Sequence, residues 1–154
     1  MLILGGLGGI GKTQLAIAYA KRHRESYDSI FWINATSETT IRESLRSLAR
    51  RVLDPDIKSN QSDDDQIQIQ VSAWLSEKDN VRWLLIFDNH DEPKRCNIRK
   101  YFPCASQGSI IITSRSPESL NGAIIYVPKM ENIKESLQIL EKRSGREAVS
   151  RSKK

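Results

Sequence analysis

Five short apolar runs punctuate an otherwise polar chain: Leu2–Leu4, Ile30–Asn34, Arg82–Phe87, Ser109–Thr113 and Ile124–Val127. The last three are continuous rather than alternating, which predicts strands buried on both faces. Between the runs, apolar residues recur at helical spacing. Lys12 to about Arg24 reads as a helix with Leu15, Ala16, Tyr19 and Ala20 turned inward. Glu38–Leu53 carries Ile41, Leu45, Leu48, Ala49 and Val52 on one face; Thr40 and Glu43 suit a capping box near its start, and Pro55 follows its end. Gln66–Ser76 repeats the pattern through Ile67, Val71, Trp74 and Leu75, after a polar, acidic loop at Ser59–Asp65. Pro128 and Asn132-x-x-Glu135 announce a last helix over Ile133–Glu141. Trp74 and Trp83 are expected in the core.

Strands alternating with helices imply a parallel sheet covered on both faces. Ligands in such sheets sit beyond the carboxyl ends of the strands. Chemistry is therefore expected at the ends of the first, third and fourth strands.

The first of these ends carries a specific motif. Gly6-Leu7-Gly8-Gly9-Ile10-Gly11-Lys12-Thr13 fits G-x-x-x-x-G-K-[ST], placed between a strand and a helix as that motif requires. Glycines let backbone N–H groups converge on a phosphate, and the following helix adds the positive end of its dipole. Residues Gly6 to Gln14 are the candidate cradle. Lys12 is placed to reach the β- and γ-phosphates, and Thr13 to ligate Mg²⁺. Gly6, Gly8 and Gly11 also match the dinucleotide fingerprint G-x-G-x-x-G. That reading expects an acid at the end of the second strand, where this chain has Asn34, and leaves Lys12 and Thr13 without a role. The expected fold is the three-layer α/β P-loop NTPase fold, with a five-stranded parallel sheet in the order 5-1-4-3-2.

The third run ends Leu84-Leu85-Ile86-Phe87-Asp88, 76 residues after Lys12, and resembles a Walker B element. Asp88 is the second candidate Mg²⁺ ligand, since a hard cation prefers oxygen. The next position, where relatives of this motif often carry an acid that activates water, is Asn89, which cannot accept a proton as a carboxylate does. Asp91 is the nearest alternative acid; His90 reads as a loop histidine. The fourth run ends Thr113-Ser114-Arg115, and Arg115 could meet a γ-phosphate through charge-assisted hydrogen bonds. Asp88, Asp91 and Arg115 are thus the candidate catalytic residues. These features favour binding over rapid hydrolysis, at most a slow ATPase.

Charge narrows the partners. The chain has 154 residues and a net charge of +5, but residues 142–154 hold six basic residues and one acid. The body, residues 1–141, is balanced at 18 of each sign. A basic tail on a neutral body argues against nucleic acid, and the tail is expected to be disordered. Cys96 and Cys104 form no C-x-x-C, which suggests a reducing, cytoplasmic setting without a metal cluster. The apolar start imitates a signal peptide, yet no basic segment precedes it and Lys12 interrupts it. No stretch reaches transmembrane length.

Taken in order and spacing, residues 5–16, 31–35, 84–89 and 109–115 resemble the NB-ARC class of STAND NTPases, and the Asp88-Asn89 pair resembles the fungal NOD-like receptors. The resemblance covers about residues 1–141. It implies a switch that rests with ADP, exchanges it for ATP and oligomerises to signal in immunity, cell death or fungal non-self recognition. It assigns Lys12 and Thr13 to phosphate and Mg²⁺, Asp88 to Mg²⁺ and Arg115 to the γ-phosphate. The family also has an adenine-holding segment before the first strand, and helical and winged-helix (ARC) regions after the last. Neither lies in this sequence, so a truncated gene product or lone module is expected, with weak affinity, little base discrimination and negligible turnover. Contacts with those regions, or self-association, are the expected protein partners. Two other classes compete: a small P-loop kinase or active ATPase, and a degenerate fragment acting through protein contacts.

Overall fold

Strands β1 (Leu2–Gly5), β2 (Ser29–Asn34), β3 (Trp83–Asp88), β4 (Ser109–Ser114) and β5 (Ala123–Tyr126) form one parallel sheet ordered β2-β3-β4-β1-β5. This is the expected 5-1-4-3-2 arrangement counted from the opposite edge. The structure, a computed structural model, describes residues 1–53, 64–129 and Gln138. The expected helix over 133–141 apart from Gln138, the basic tail and most of the acidic loop lie outside the described residues.

Helix α1 (Lys12–Arg22) covers one face of the sheet; α2 (Glu38–Val52) and α3 (Asp64–Leu75) cover the other. The period-2 alternation of β3 serves both layers. Leu84 and Ile86 pack with Ala16 of α1, while Leu85 and Phe87 pack with Ile41, Leu45, Leu48 and Val71 of the opposite layer. All six residues of β3 are buried, which is why its sequence is apolar without interruption. Trp83 lies in the core with its indole N–H donating to the Leu75 carbonyl at 2.9 Å. Gly108 presses against that ring: a Cβ there would stand 2.2 Å from Trp83 Cε2. Trp74 is half-buried against the same core.

Four local expectations are revised. The N-cap of α2 is Ser37, and its capping box pairs with Thr40 rather than joining Thr40 to Glu43. The Ser37 hydroxyl accepts from Thr40 N–H and the Thr40 hydroxyl accepts from Ser37 N–H, so the box lies one turn earlier than the acidic pattern suggested. α3 begins at Asp64, two residues before the apolar pattern starts. Two acids suit a helix N-terminus, and Asp64 also accepts from Arg42 and is ion-paired with Arg46 of α2. Leu15 faces solvent, because α1 turns only Ala16 fully into the sheet. β5 is an edge strand with Ile125 and Tyr126 exposed, not a strand buried on both faces.

The register sets the site. Gly5 at the end of β1 aligns with Ser114 of β4, and Phe87 of β3 aligns with Ile112. The carboxyl ends of the three central strands therefore open side by side.

Candidate functional site

The loop between β1 and α1 wraps around its own lysine. Gly11, left-handed at φ 102°, caps α1 and its carbonyl accepts the first helical hydrogen bond from Leu15. Lys12 begins the helix and is only 7% exposed. Its ammonium folds back to donate to the Gly6 carbonyl at 2.8 Å and the Leu7 carbonyl at 2.9 Å. The loop is thus held open around a buried cation at the positive end of α1.

Thr13, one residue on, points its hydroxyl across to β3 and donates to Asp88 Oδ1 at 2.8 Å. Asp88 is buried, and the same oxygen accepts from the Thr113 hydroxyl of β4 at 2.6 Å. These hard oxygen donors suit Mg²⁺, which takes few protein ligands and completes its shell with water and phosphate.

The loop after β3 is laced to the end of β4. Asn89 adopts φ 65°, a left-handed conformation that asparagine tolerates, and its N–H donates to the Thr113 hydroxyl. His90 N–H donates to the Thr113 carbonyl, and the Ser114 hydroxyl donates to the His90 carbonyl. Asp91 then meets Arg115 twice, both at 2.8 Å: Oδ1 accepts from the backbone N–H, and Oδ2 is ion-paired with Nε. The Arg115 guanidinium lies against the phosphate loop, where a Cβ on Gly8 would stand 3.1 Å from its Cζ. A side chain on Gly8 would require the guanidinium to shift by a few tenths of an ångström.

His90 is 1% exposed, and its Nδ1 has no hydrogen-bond partner among the described residues. Burial pushes its pKa down, opposed by the Asp91 charge and a hydrogen bond to the Ala35 backbone. It is a loop histidine, as expected, but a buried one, which its polar neighbours Asn89 and Asp91 concealed in the sequence.

Residues Gly8–Gln14, Asn89 and Arg115 together line a cavity of about 210 Å³. Of the sequence candidates, Lys12, Thr13 and Arg115 come together here, and Asp88 joins them through its hydrogen bond from Thr13. Asp91 arrives through its pairing with Arg115. Gly6 and Leu7 contribute their carbonyls to Lys12. Thr113 and Ser114 join the site unannounced; hydroxyl residues closing an apolar strand are the signal that could have marked them. A larger groove of about 620 Å³ runs between α1 and the outer edge of β2, away from all these groups.

A family model for the NB-ARC domain matches residues 1–149. The chain belongs to the NB-ARC family. This NB-ARC domain is similar to a nucleotide-binding leucine-rich repeat (NLR)-like protein of Hyaloscypha variabilis, at 28% identity over 156 residues. The match covers 88% of this chain and 15% of that protein, so the chain spans about one seventh of the relative's length. Among solved structures it resembles Cdc6p from Pyrobaculum aerophilum, with a TM-score of 0.59, 16% identity, and coverage of 94% of this chain and 42% of that one. That likeness is one of fold. No helix among the described residues is long and apolar enough to cross a membrane.

Proposed function

We propose that this NB-ARC domain is an ADP/ATP switch that binds its nucleotide with Mg²⁺ and hydrolyses it slowly or not at all. The observation that carries this reading is that Lys12, Thr13 and Arg115 line one small cavity, with Asp88 behind it as the acceptor of the Thr13 hydroxyl. Lys12 and the N–H groups of α1's first turn hold the β- and γ-phosphates, as its buried ammonium and the helix dipole favour. Thr13 and Asp88 hold Mg²⁺, which neutralises phosphate charge when bound. Arg115 contacts the γ-phosphate and so distinguishes ATP from ADP.

Slow turnover follows from the groups beside the cavity. Asn89 has no proton-accepting carboxylate. Both oxygens of Asp91 are engaged by Arg115, and His90 is sealed from water. A domain that holds ATP without consuming it keeps its state, which is what a switch requires. The lining of the cavity is phosphate-directed, with no aromatic face for a base, which supports little discrimination between adenine and guanine. We place the domain in the cytoplasm on its free Cys96 and Cys104, and in fungal NLR-type signalling on its similarity to the Hyaloscypha protein. Other parts of such a protein, or further copies of the domain, are the partners it would signal through.

Calorimetric titration of ADP, ATP and GTP in Mg²⁺, with phosphate release followed in parallel, tests this. The expected result is one site per chain, ATP and GTP bound with similar affinity, and turnover below the ordinary enzymatic range of about 1–1000 s⁻¹. Absence of binding, or turnover within that range, would overturn the reading.

A further inference from the structure

Arg115 is 63% exposed, and a free arginine in that setting would sample many rotamers. Instead one carboxylate grips it at two points, the backbone N–H and Nε. This closes a small ring that fixes the direction of the side chain. The Asp91 main chain does not itself depend on the Arg115 side chain for its place. Its N–H donates to the Asn89 carbonyl, and the neighbouring His90 is tied to Thr113 and Ser114 of β4. The main chain that carries the carboxylate is therefore fixed apart from the Arg115 side chain, and the Arg115 backbone N–H orients the carboxylate toward that side chain.

The choice of Nε matters. A guanidinium carries five N–H donors in a planar fork, and holding it by Nε leaves the Nη edge to face outward. The guanidinium lies beside Gly8, with Cζ, Nε and Nη2 3.1, 3.2 and 3.3 Å from where a Cβ would be, at the rim of the phosphate cavity.

We propose that Asp91 is the positioning residue that aims Arg115 across Gly8, and that this hold gives the domain its preference for a nucleoside triphosphate over a diphosphate. The proposal rests on the reading that Arg115 meets the terminal phosphate. An arginine ordered in advance loses little freedom when a γ-phosphate arrives, and that saving is absent with a diphosphate. The Asp91 charge also repels both nucleotides, so the ratio of affinities, not either affinity alone, reports the hold.

The test uses the whole 154-residue chain, with Mg·ADP and the Mg complex of a non-hydrolysable β,γ-imido ATP, measured by calorimetry on the wild type, Asp91→Asn, Arg115→Ala and the double variant. Asn can accept the backbone N–H, but it carries no charge to pair with the guanidinium. Asp91→Asn is expected to lower the triphosphate-to-diphosphate affinity ratio about three- to tenfold, the scale of one immobilised side chain, with both variants melting cooperatively. Arg115→Ala should abolish the preference, and adding Asp91→Asn to it should change the ratio no further. An unchanged ratio in Asp91→Asn, or an equal effect of that substitution without Arg115, overturns the positioning role. A triphosphate preference that survives in Arg115→Ala instead overturns the underlying assignment of Arg115, and the positioning role with it.

Discussion

The hydroxyl of Thr13 donates to Oδ1 of Asp88 over 2.8 Å, joining the first turn of α1 to the last residue of β3 across 75 positions of sequence. Asp88→Asn preserves an oxygen that can accept from Thr13 and Thr113, so stability should change by less than about 1 kcal/mol. It removes the charge that favours a divalent cation. The gain in ATP affinity on adding Mg²⁺ is expected to fall at least about tenfold, close to one buried charge-assisted contact of about 1.5–3 kcal/mol. Calorimetry with and without Mg²⁺ reads this directly. An undiminished Mg²⁺ effect would remove Asp88 from the metal site.

Gly8 is bare where Arg115 crosses the loop, and a methyl group there would stand 3.1 Å from the guanidinium carbon. The neighbour is an exposed side chain that can move. Gly8→Ala is therefore expected to fold with a melting temperature within a few degrees of wild type, while the triphosphate preference falls. If ATP and ADP affinities change in parallel, the crossing of Arg115 over Gly8 has no part in recognition.

Gly108 poses the opposite case. Its φ of 78° is left-handed, and a Cβ would meet the Trp83 ring, itself 2% exposed, at 2.2 Å. Left-handed strain of about 1–2 kcal/mol adds to overpacking of about 1–3 kcal/mol. Gly108→Ala should lower the melting temperature by about 5–15 °C, at about 2–4 °C per kcal/mol for a chain of this size. A shift under 2 °C would show that Trp83 is free to move aside.

His90 predicts a pH dependence. Its folded pKa is depressed by burial below the unfolded value of about 6.5. Above that pH both states are neutral and the contribution is complete. Below it the unfolded chain takes up a proton that the folded chain resists, so stability is lost as pH falls. In the metal-free protein, thermal stability between pH 7.5 and 5.5 should fall more steeply for wild type than for His90→Gln, by up to about 1.4 kcal/mol per pH unit. Equal slopes would mean the imidazole is readily protonated in place.

The fold was legible because β3 and its neighbours are apolar without alternation, a pattern that only a sheet covered on both faces accepts. Lys12, Thr13, Asp88 and Arg115 were legible because the phosphate loop and the strand ends mark them by position. Other features depended on contacts that spacing does not encode. Asp91 reads as a spare acid until the register of β3 and β4 sets it against Arg115. His90 stands among polar residues yet is buried, its backbone held to the end of β4 by hydrogen bonds with Thr113 and Ser114. The capping of α2 by Ser37 and Thr40 was misread because the more familiar partner, Glu43, stood in the expected place.

The central claim is that the loop around Lys12 holds a nucleotide phosphate. Thermal unfolding of the wild type and Lys12→Ala, each with and without Mg·ATP, tests it most directly. Ligand at about 100 times Kd should stabilise the wild type by about 2.7 kcal/mol, some 5–10 °C here, and leave Lys12→Ala where it was. A wild type that melts at the same temperature with and without Mg·ATP, or a variant stabilised as much as the wild type, would contradict the account.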